Sequence, residues 1–503
     1  MRSFHAEATM RRVLGGLAVL VLLALAILAG VVVVRAVRLR AAAPPPVEPA
    51  PAVALDLRAA AERLGAALRF RTVSSVDTTQ RADAEFQAFH AFLTQAFPTV
   101  HTRLRREAIG GLSLLYTWPG SDPALPPLLV LAHQDVVPVE TGTEGRWTHP
   151  PFAGVVAEGY VWGRGALDDK SSLMAQLEAV EGLLREGFRP RRTVLLAFGH
   201  DEEIGGRSGA AAIAAELRRR GVRPLLVLDE GGVVGRGLLP VDRPVALVGV
   251  AEKGYVSLEF RATAPGGHSS MPPERTALGR VVEAVDRLQQ NPFPASLREP
   301  ARSMLLAVAP AMPLTARIAL ANLWLFEPLV VRRLTATPAG NAALRTTIAP
   351  TMAEGSVKDN VLPQRARIVV NFRIAPGDRV ATVLAHAQRA AAGTGVCLGI
   401  VNNFASEPSA LAPQDTVFAW LTRTIRRVRP DALVAPYLVL GATDSRHYAG
   451  LTPHVYRFLP VTMTAEDLRR VHGTDERIAV DDYARMIRFY RQLILDLDGT
   501  AVP

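Results

Sequence analysis

Five short clusters in this 503-residue chain carry side chains that can do chemistry. In order they are His133-Gln134-Asp135, Asp168-Asp169-Lys170 behind Gly163-x-Gly165, Asp201-Glu202-Glu203, Asp229-Glu230-Gly231-Gly232, and His472-Gly473. A neutral imidazole at His133 can ligate a metal, and a carboxylate two residues on can fix its orientation. Three consecutive acids at 201–203 repel one another unless cations neutralise them. An N-cap role accounts for one of the two acids at Asp168-Asp169, and leaves the second and Lys170 unexplained. The chain has a single cysteine, Cys397, so neither a disulfide framework nor a thiolate cluster is available. A centre built from His, Asp and Glu alone suits divalent zinc, manganese or cobalt.

The surrounding sequence says what places these clusters. Leu128–Leu131, Thr193–Phe198 and Leu225–Leu228 are short apolar runs, each followed at once by His or acidic residues. Such runs read as strands buried on both faces of a parallel sheet. Ligands bind beyond the carboxyl ends of such strands, where these clusters fall. Helical spacing predicts helices over Leu57–Phe70, Phe86–Phe97, Ser171–Leu184, Phe418–Val428 and Val480–Leu495. From Glu252 the texture changes. Val256, Leu258, Phe260 and Ala262 alternate as in a half-exposed antiparallel strand, and strand–helix–strands–helix–strand follows to about residue 403. That pattern is expected for an inserted split βαβ layer. The apolar stretch from Asn291 to Ile348, with Trp324 and Phe326, is extra. It is expected to be core of the inserted layer, the other reading being a surface facing membrane or a lipid-like substrate.

The formal net charge is +10, carried almost wholly by scattered arginine; the lysines are Lys170, Lys253 and Lys358. No basic run is interleaved with aromatics, which argues against nucleic-acid binding. Val13 to Val34 is uncharged and apolar, and at ~1.5 Å per residue it covers about 33 Å, enough for a bilayer core. The expectation is a single-pass anchor with the catalytic body outside the cytoplasm, a cleaved secretion signal being the alternative. Arginines flank both ends, so orientation does not follow from charge. The expected organisation is a basic flank (1–12), an anchor (13–34), a Pro-rich linker (35–56), a main domain in two parts (57–250 and 404–503) that carries the five clusters, and an inserted lid domain (251–403).

Taken together and in order, the five clusters resemble those of the co-catalytic dizinc metallopeptidases that include glutamate carboxypeptidase, aminoacylase and succinyl-diaminopimelate desuccinylase. Within them the branch of carboxypeptidase S and the N-acyl amino acid synthase/hydrolases is most similar. The resemblance covers about residues 57 to 497. It implies an α/β fold: a doubly wound, mostly parallel sheet with an inserted α+β, ferredoxin-like lid. It implies two Zn2+, with Mn2+ or Co2+ as substitutes. His133 would ligate one metal, Asp168 would bridge both, and Glu203 and His472 would hold the second. Asp135 would orient His133, and Glu202 would be the general base. One further ligand is Asp229 or Glu230. In the lid, Gly267-His268-Ser269-Ser270 matches a histidine that in dimeric relatives reaches the neighbouring subunit's site, which implies a homodimer. Asn360 matches an asparagine near the substrate, and Arg373 and Arg446 would bind a substrate carboxylate. The implied reaction is hydrolysis of an amide next to a free carboxylate, in a small peptide or an N-acyl amino acid. A dimetal hydrolase of another bond, or a non-catalytic binding module with a relic site, are the alternative readings.

Overall fold

The computed structural model describes residues 2–40, 47–77 and 81–499. Pro44, Pro45 and Pro46 of the expected linker lie outside them. The body is organised around a ten-stranded mixed sheet. Eight of its strands matter here: β1 (Arg105–Ile109), β2 (Ser113–Trp118), β3 (Leu128–His133), β4 (Val194–Gly199), β5 (Leu226–Asp229), β6 (Val245–Glu252), β7 (Leu433–Val439) and β8 (Val455–Arg457). The central strands β4, β3, β5 and β8 are mutually parallel, whereas β1, β2 and β6 bring antiparallel pairings to their flanks.

The continuous apolar runs have a simple cause. Side chains alternate between faces along a strand. Leu128, Val130 and Ala132 of β3 pack with Leu64, Leu177 and Tyr490 of the helices on one face. Leu129 and Leu131 pack with Ile213, Leu217 and Tyr448 on the other. Both faces are covered, so every position of β3, β4 and β5 is buried. The expected helices lie at Leu57–Leu68, Asp83–Ala96, Lys170–Arg185, Thr416–Val428 and Val480–Gly499. Parallel register sets Leu128 against Val194 and Leu226, and His133 against Gly199. The strand ends, with their His and acidic residues, therefore converge on one edge.

The inserted layer is a four-stranded antiparallel sheet in the order Thr347–Glu354, Arg365–Ile374, Gly254–Thr263, Cys397–Ser406. Helices Ala277–Gln290 and Val380–Ala391 cover it, burying Val256, Leu258 and Phe260 against Val281, Leu288 and Val383. Lys253, at its root, donates from Nζ to the carbonyls of Ala342 and Arg345 at 2.9 and 2.8 Å.

The stretch 291–348 folds as four helices, Ala301–Val308, Leu314–Ala321, Leu323–Thr335 and Pro338–Leu344. They do not join the lid core as expected. Leu297, Leu305, Met312, Leu320 and Leu344 form a separate core with Val245 and Leu247 of β6 and Ala435 of β7. An apolar pattern reports that a segment is buried, and not which surface buries it.

The N-terminal helix runs from Arg2 to Arg40, with its apolar window at Leu14–Leu39, extending beyond the expected 13–34. It is long and apolar enough to cross a membrane. Its last turns rest on the four-helix insert: Val32 and Ala36 are buried, and Asn322 Nδ2 donates to the Val32 carbonyl at 3.0 Å.

Candidate metal centre

His133 ends β3 and is buried. Its Nδ1–H donates to the Asp135 carbonyl at 3.0 Å, which directs Nε2 outward. Nε2 stands 2.8 Å from Asp168 Oδ1 and 3.5 Å from Glu230 Oε1. The other Asp168 oxygen, Oδ2, stands 2.9 Å from His472 Nε2, which is 3.2 Å from Glu203 Oε2. One carboxylate thus faces two imidazoles, one from each end of the chain, and each imidazole has a second acid beside it. Two overlapping donor groups result, His133–Asp168–Glu203 and His133–Glu202–Glu230.

Asp135 is fully buried and organises the next strand end. Its carboxylate accepts from Ser74 Oγ at 2.6 Å and from the backbone N–H groups of Glu202 and Glu203, each at 3.1 Å. It therefore fixes the loop that presents both glutamates, besides lying 3.3 Å from His133 Nδ1.

The acids repel. Burial, then the neighbouring Asp444 and Glu230 charges, pushes Glu202 well above the usual carboxylate range. Burial and Asp168 raise Glu203, and the same pair pushes Glu230 up to about 8. Hydrogen bonds to Asp168 and Glu203 hold His472 up to about 10. Glu203 Oε1 is buried without a hydrogen-bond partner among the described residues. Oxygen and imidazole donors, excess buried negative charge and an unpartnered carboxylate oxygen fit a pair of divalent cations.

The proton inventory gives a pH prediction. In the metal-free fold Glu230 keeps its proton to about pH 8, against 4.5 for an ordinary glutamate. His472 keeps its proton to about 10, against 6.5. Through these two groups the folded state binds more protons than the unfolded chain, so their contribution to metal-free stability falls as pH rises from about 4.5 to about 10; Lys170 and Lys253, lowered by burial to about 7 and about 8, oppose it above about pH 7 whether metal is bound or not. Asp135 and Asp168, both lowered, act in the opposite sense only below about pH 4. Metal ions displace these protons and bind more tightly as pH rises. The melting-temperature gap between metal-loaded and chelator-stripped protein should widen by about 5 °C or more from pH 5.5 to 8. A gap that narrows over this range contradicts the assignment.

The end of β5 leaves a choice between Asp229 and Glu230, and the two side chains are placed differently. The Asp229 carboxylate accepts the Ser445 N–H at 2.7 Å, whereas Glu230 faces His133. Arg373, reaching from the lid sheet, lies over the Tyr255 ring at 5.0 Å and within electrostatic reach of Arg446 and Glu202. Neither arginine has a carboxylate ion-pair partner among the described residues. His268 and Asn360 are elsewhere. His268 sits on an exposed hairpin opposite Val361, bonded to Ser270 at 2.8 Å, and the Asn360 carbonyl accepts from Ser269 N–H. None of these contacts reaches the acid cluster of the same chain.

Two residues beyond the five clusters complete the centre. Glu476, fully buried, accepts the N–H groups of Leu167 and Asp168 at 2.8 and 3.2 Å and Arg164 Nη1 at 2.6 Å. Arg164 Nη2 in turn donates to the His472 carbonyl at 3.1 Å. This clamp holds the Asp168 turn and the His472 loop together. Its one sequence signal is position, four residues after His472. Asp444 is buried with neither carboxylate oxygen hydrogen-bonded among the described residues, and burial beside Asp229 raises it well above the usual range. A Cβ at Gly199 or Gly206 would lie 2.4 or 2.1 Å from its oxygens and displace the carboxylate, and Gly206 also needs its positive φ of 65°. Its sequence signal is the same strand-then-acid pattern, after β7. In Glu476→Gln, metal affinity should fall by about 10–100-fold, as for other groups that orient ligands, with Glu202 chemistry intact at saturating metal. Competition with a chromogenic chelator reads this, and unchanged affinity would remove the clamp's role.

The model of peptidase family M20/M25/M40 matches residues 129–496, a span that holds all five clusters. The chain belongs to this family. It is 40% identical over 442 residues to the probable carboxypeptidase S-like 2 of Dictyostelium discoideum, covering 86% of this chain and 84% of the relative. It is 39% identical over 448 residues to the N-fatty-acyl-amino acid synthase/hydrolase PM20D1 of Xenopus tropicalis, covering 88% and 86%. Among solved structures, the M20 family metallo-carboxypeptidase Sso-CP2 from Sulfolobus solfataricus superposes with a TM-score of 0.66 at 17% identity, over 86% of this chain and 98% of that one. This M20 chain is a metal-dependent amide hydrolase with an α/β catalytic fold.

Proposed function

We propose that this hydrolase cleaves the amide between an acyl group and an amino acid whose carboxylate is free, in small peptides or N-acyl amino acids, with zinc as its native metal. The observation that carries the reading is Asp168, set with one oxygen on His133 and the other on His472, with Glu202 beside them and Arg373 within electrostatic reach of Glu202 and Arg446. His133, Asp168, Glu203, Glu230 and His472 would hold two ions. When bound there, such ions acidify water and polarise a carbonyl. Glu202, raised by burial above the usual carboxylate range in the metal-free fold and grouped with His133 and Glu230, takes the proton of the attacking water and passes it to the leaving amine. Asp135 keeps the Glu202 backbone and the His133 ring in place. Arg373 and Arg446 receive the substrate carboxylate, a planar fork suited to bidentate pairing.

Names of relatives split the acyl side two ways, carboxypeptidase S-like and N-fatty-acyl-amino acid synthase/hydrolase. A mixed panel of dipeptides and N-acyl amino acids, with products read by mass, decides between them. Turnover confined to esters or phosphoesters would refute the amide assignment.

The N-terminal helix would anchor the body outside the cytoplasm. The lid would pair two copies and bring the partner's His268 and Asn360 to each site, which is supported by their contacts in their own chain, all away from the acid cluster. Mixing two inactive proteins, His268→Ala and Glu202→Gln, should then restore up to about a quarter of wild-type activity, because one site of a mixed dimer is intact. No recovery after subunit exchange would exclude the shared site.

A further inference from the structure

The four-helix insert is apolar on both sides. Its inner face seals β6 and β7, as described above. Its outer face carries Leu314, Trp324, Leu325 and Leu329, with Trp324 59% exposed. Single exposed apolar residues need no explanation, but a cluster on two consecutive helices does. The same helices hold the end of the N-terminal helix, through buried Val32 and Ala36 and the Asn322–Val32 hydrogen bond.

The length of the apolar helix left outside that contact decides what the face meets. Residues 14–31 are exposed save half-buried Leu28. Eighteen helical residues at ~1.5 Å each span about 27 Å, close to the ~30 Å of a bilayer's hydrocarbon core. The helix therefore leaves the hydrocarbon where it first touches the insert, and no free linker separates membrane from body at that point. Trp324 follows two residues after Asn322, which makes this contact. It carries a tryptophan, the residue type enriched at the bilayer interface. The insert's four helices also expose Arg302, Arg332 and Arg333 against one acid, half-buried Glu327, which pairs with Arg302 at 3.7 Å and leaves Arg332 and Arg333 to favour anionic headgroups.

We propose that the outer face of helices Leu314–Ala321 and Leu323–Thr335 is a membrane seat: it lies in the headgroup–acyl boundary of an anionic bilayer and holds the catalytic body against the surface from which the N-terminal helix emerges. The proposal rests on that helix being retained as an anchor.

The chain supplies its own probe. Of five tryptophans, Trp118, Trp147, Trp162 and Trp420 are buried, and Trp324 alone is exposed. The full-length protein is reconstituted into phosphatidylcholine/phosphatidylglycerol vesicles containing a lipid with a doxyl quencher near the headgroup. Alkaline carbonate extraction is run on the same sample. The expected result is carbonate resistance together with loss of at least about half of the Trp324 emission, obtained as the difference between wild type and Trp324→Phe. Leu329→Ser, with Trp324 retained, should weaken the quenching without changing turnover. A carbonate-resistant protein whose Trp324 is unquenched keeps the anchor and overturns the seat. An extractable protein, quenched or not, overturns the anchor and with it the seat as proposed. Unquenched, blue-shifted Trp324 emission that reverts on dilution assigns the face to a second copy, and overturns the seat.

Discussion

Glu202→Gln should lower kcat by about 10³–10⁴-fold while leaving metal content, fold and substrate affinity close to wild type. The amide fills the same volume and keeps the backbone N–H that Asp135 accepts at 3.1 Å. What it removes is the ability to take and return a proton. Other carboxylates are near, but they are committed: Asp135 to Ser74 and two backbone N–H groups, Asp168 to both imidazoles, Asp229 to Ser445. Asp444 and Glu203 Oε1 are the exceptions, unbonded among the described residues, but Glu203 is a proposed metal ligand and Asp444 is buried beside Asp229, so only a small residual turnover is expected. Metal analysis and kinetics on one preparation check it. A variant with both metals and near-wild-type turnover would falsify the general-base role.

Asp168→Asn should act differently and as strongly. Asp168 is the group whose two oxygens meet the two histidines, at 2.8 and 2.9 Å. An asparagine offers one oxygen and no charge, so it can serve one ion and not bridge a pair. Two dications ~3.5–4 Å apart repel strongly, and the bridging anion is what makes double occupancy favourable. The variant should lose at least one equivalent of metal and all measurable activity, and excess zinc should not restore it. Glu202→Gln loses turnover with metals kept; Asp168→Asn loses both. Isothermal titration with Zn2+ separates them, and two tight sites retained in Asp168→Asn would contradict the bridging assignment.

Much of this centre could be read from the chain because the signal is local. A parallel strand buried on both faces must be apolar along its length, and the acids directly after it outnumber those that hold loop backbone, as Asp135, Asp201 and Asp229 do. β3, β4 and β5 each show this break, at His133, His200 and Asp229. The choice between Asp229 and Glu230 was not readable, because it depends on which side chain Ser445, more than two hundred residues later, engages. Glu476 and Asp444 escaped for a related reason: their partners are the backbone of Leu167 and Asp168 in one case and the space left by Gly199 and Gly206 in the other. The insert was legible as apolar but not as a cover for β6 and β7. Burial is encoded in one segment, whereas its partner is encoded in another.

The account stands on two cations sharing Asp168. Anomalous diffraction from zinc-loaded crystals tests it most directly. The expected map has two peaks ~3.5–4 Å apart, one touching His133 and Glu230, the other Glu203 and His472, with Asp168 between them. A single peak, or peaks away from Asp168, would contradict it.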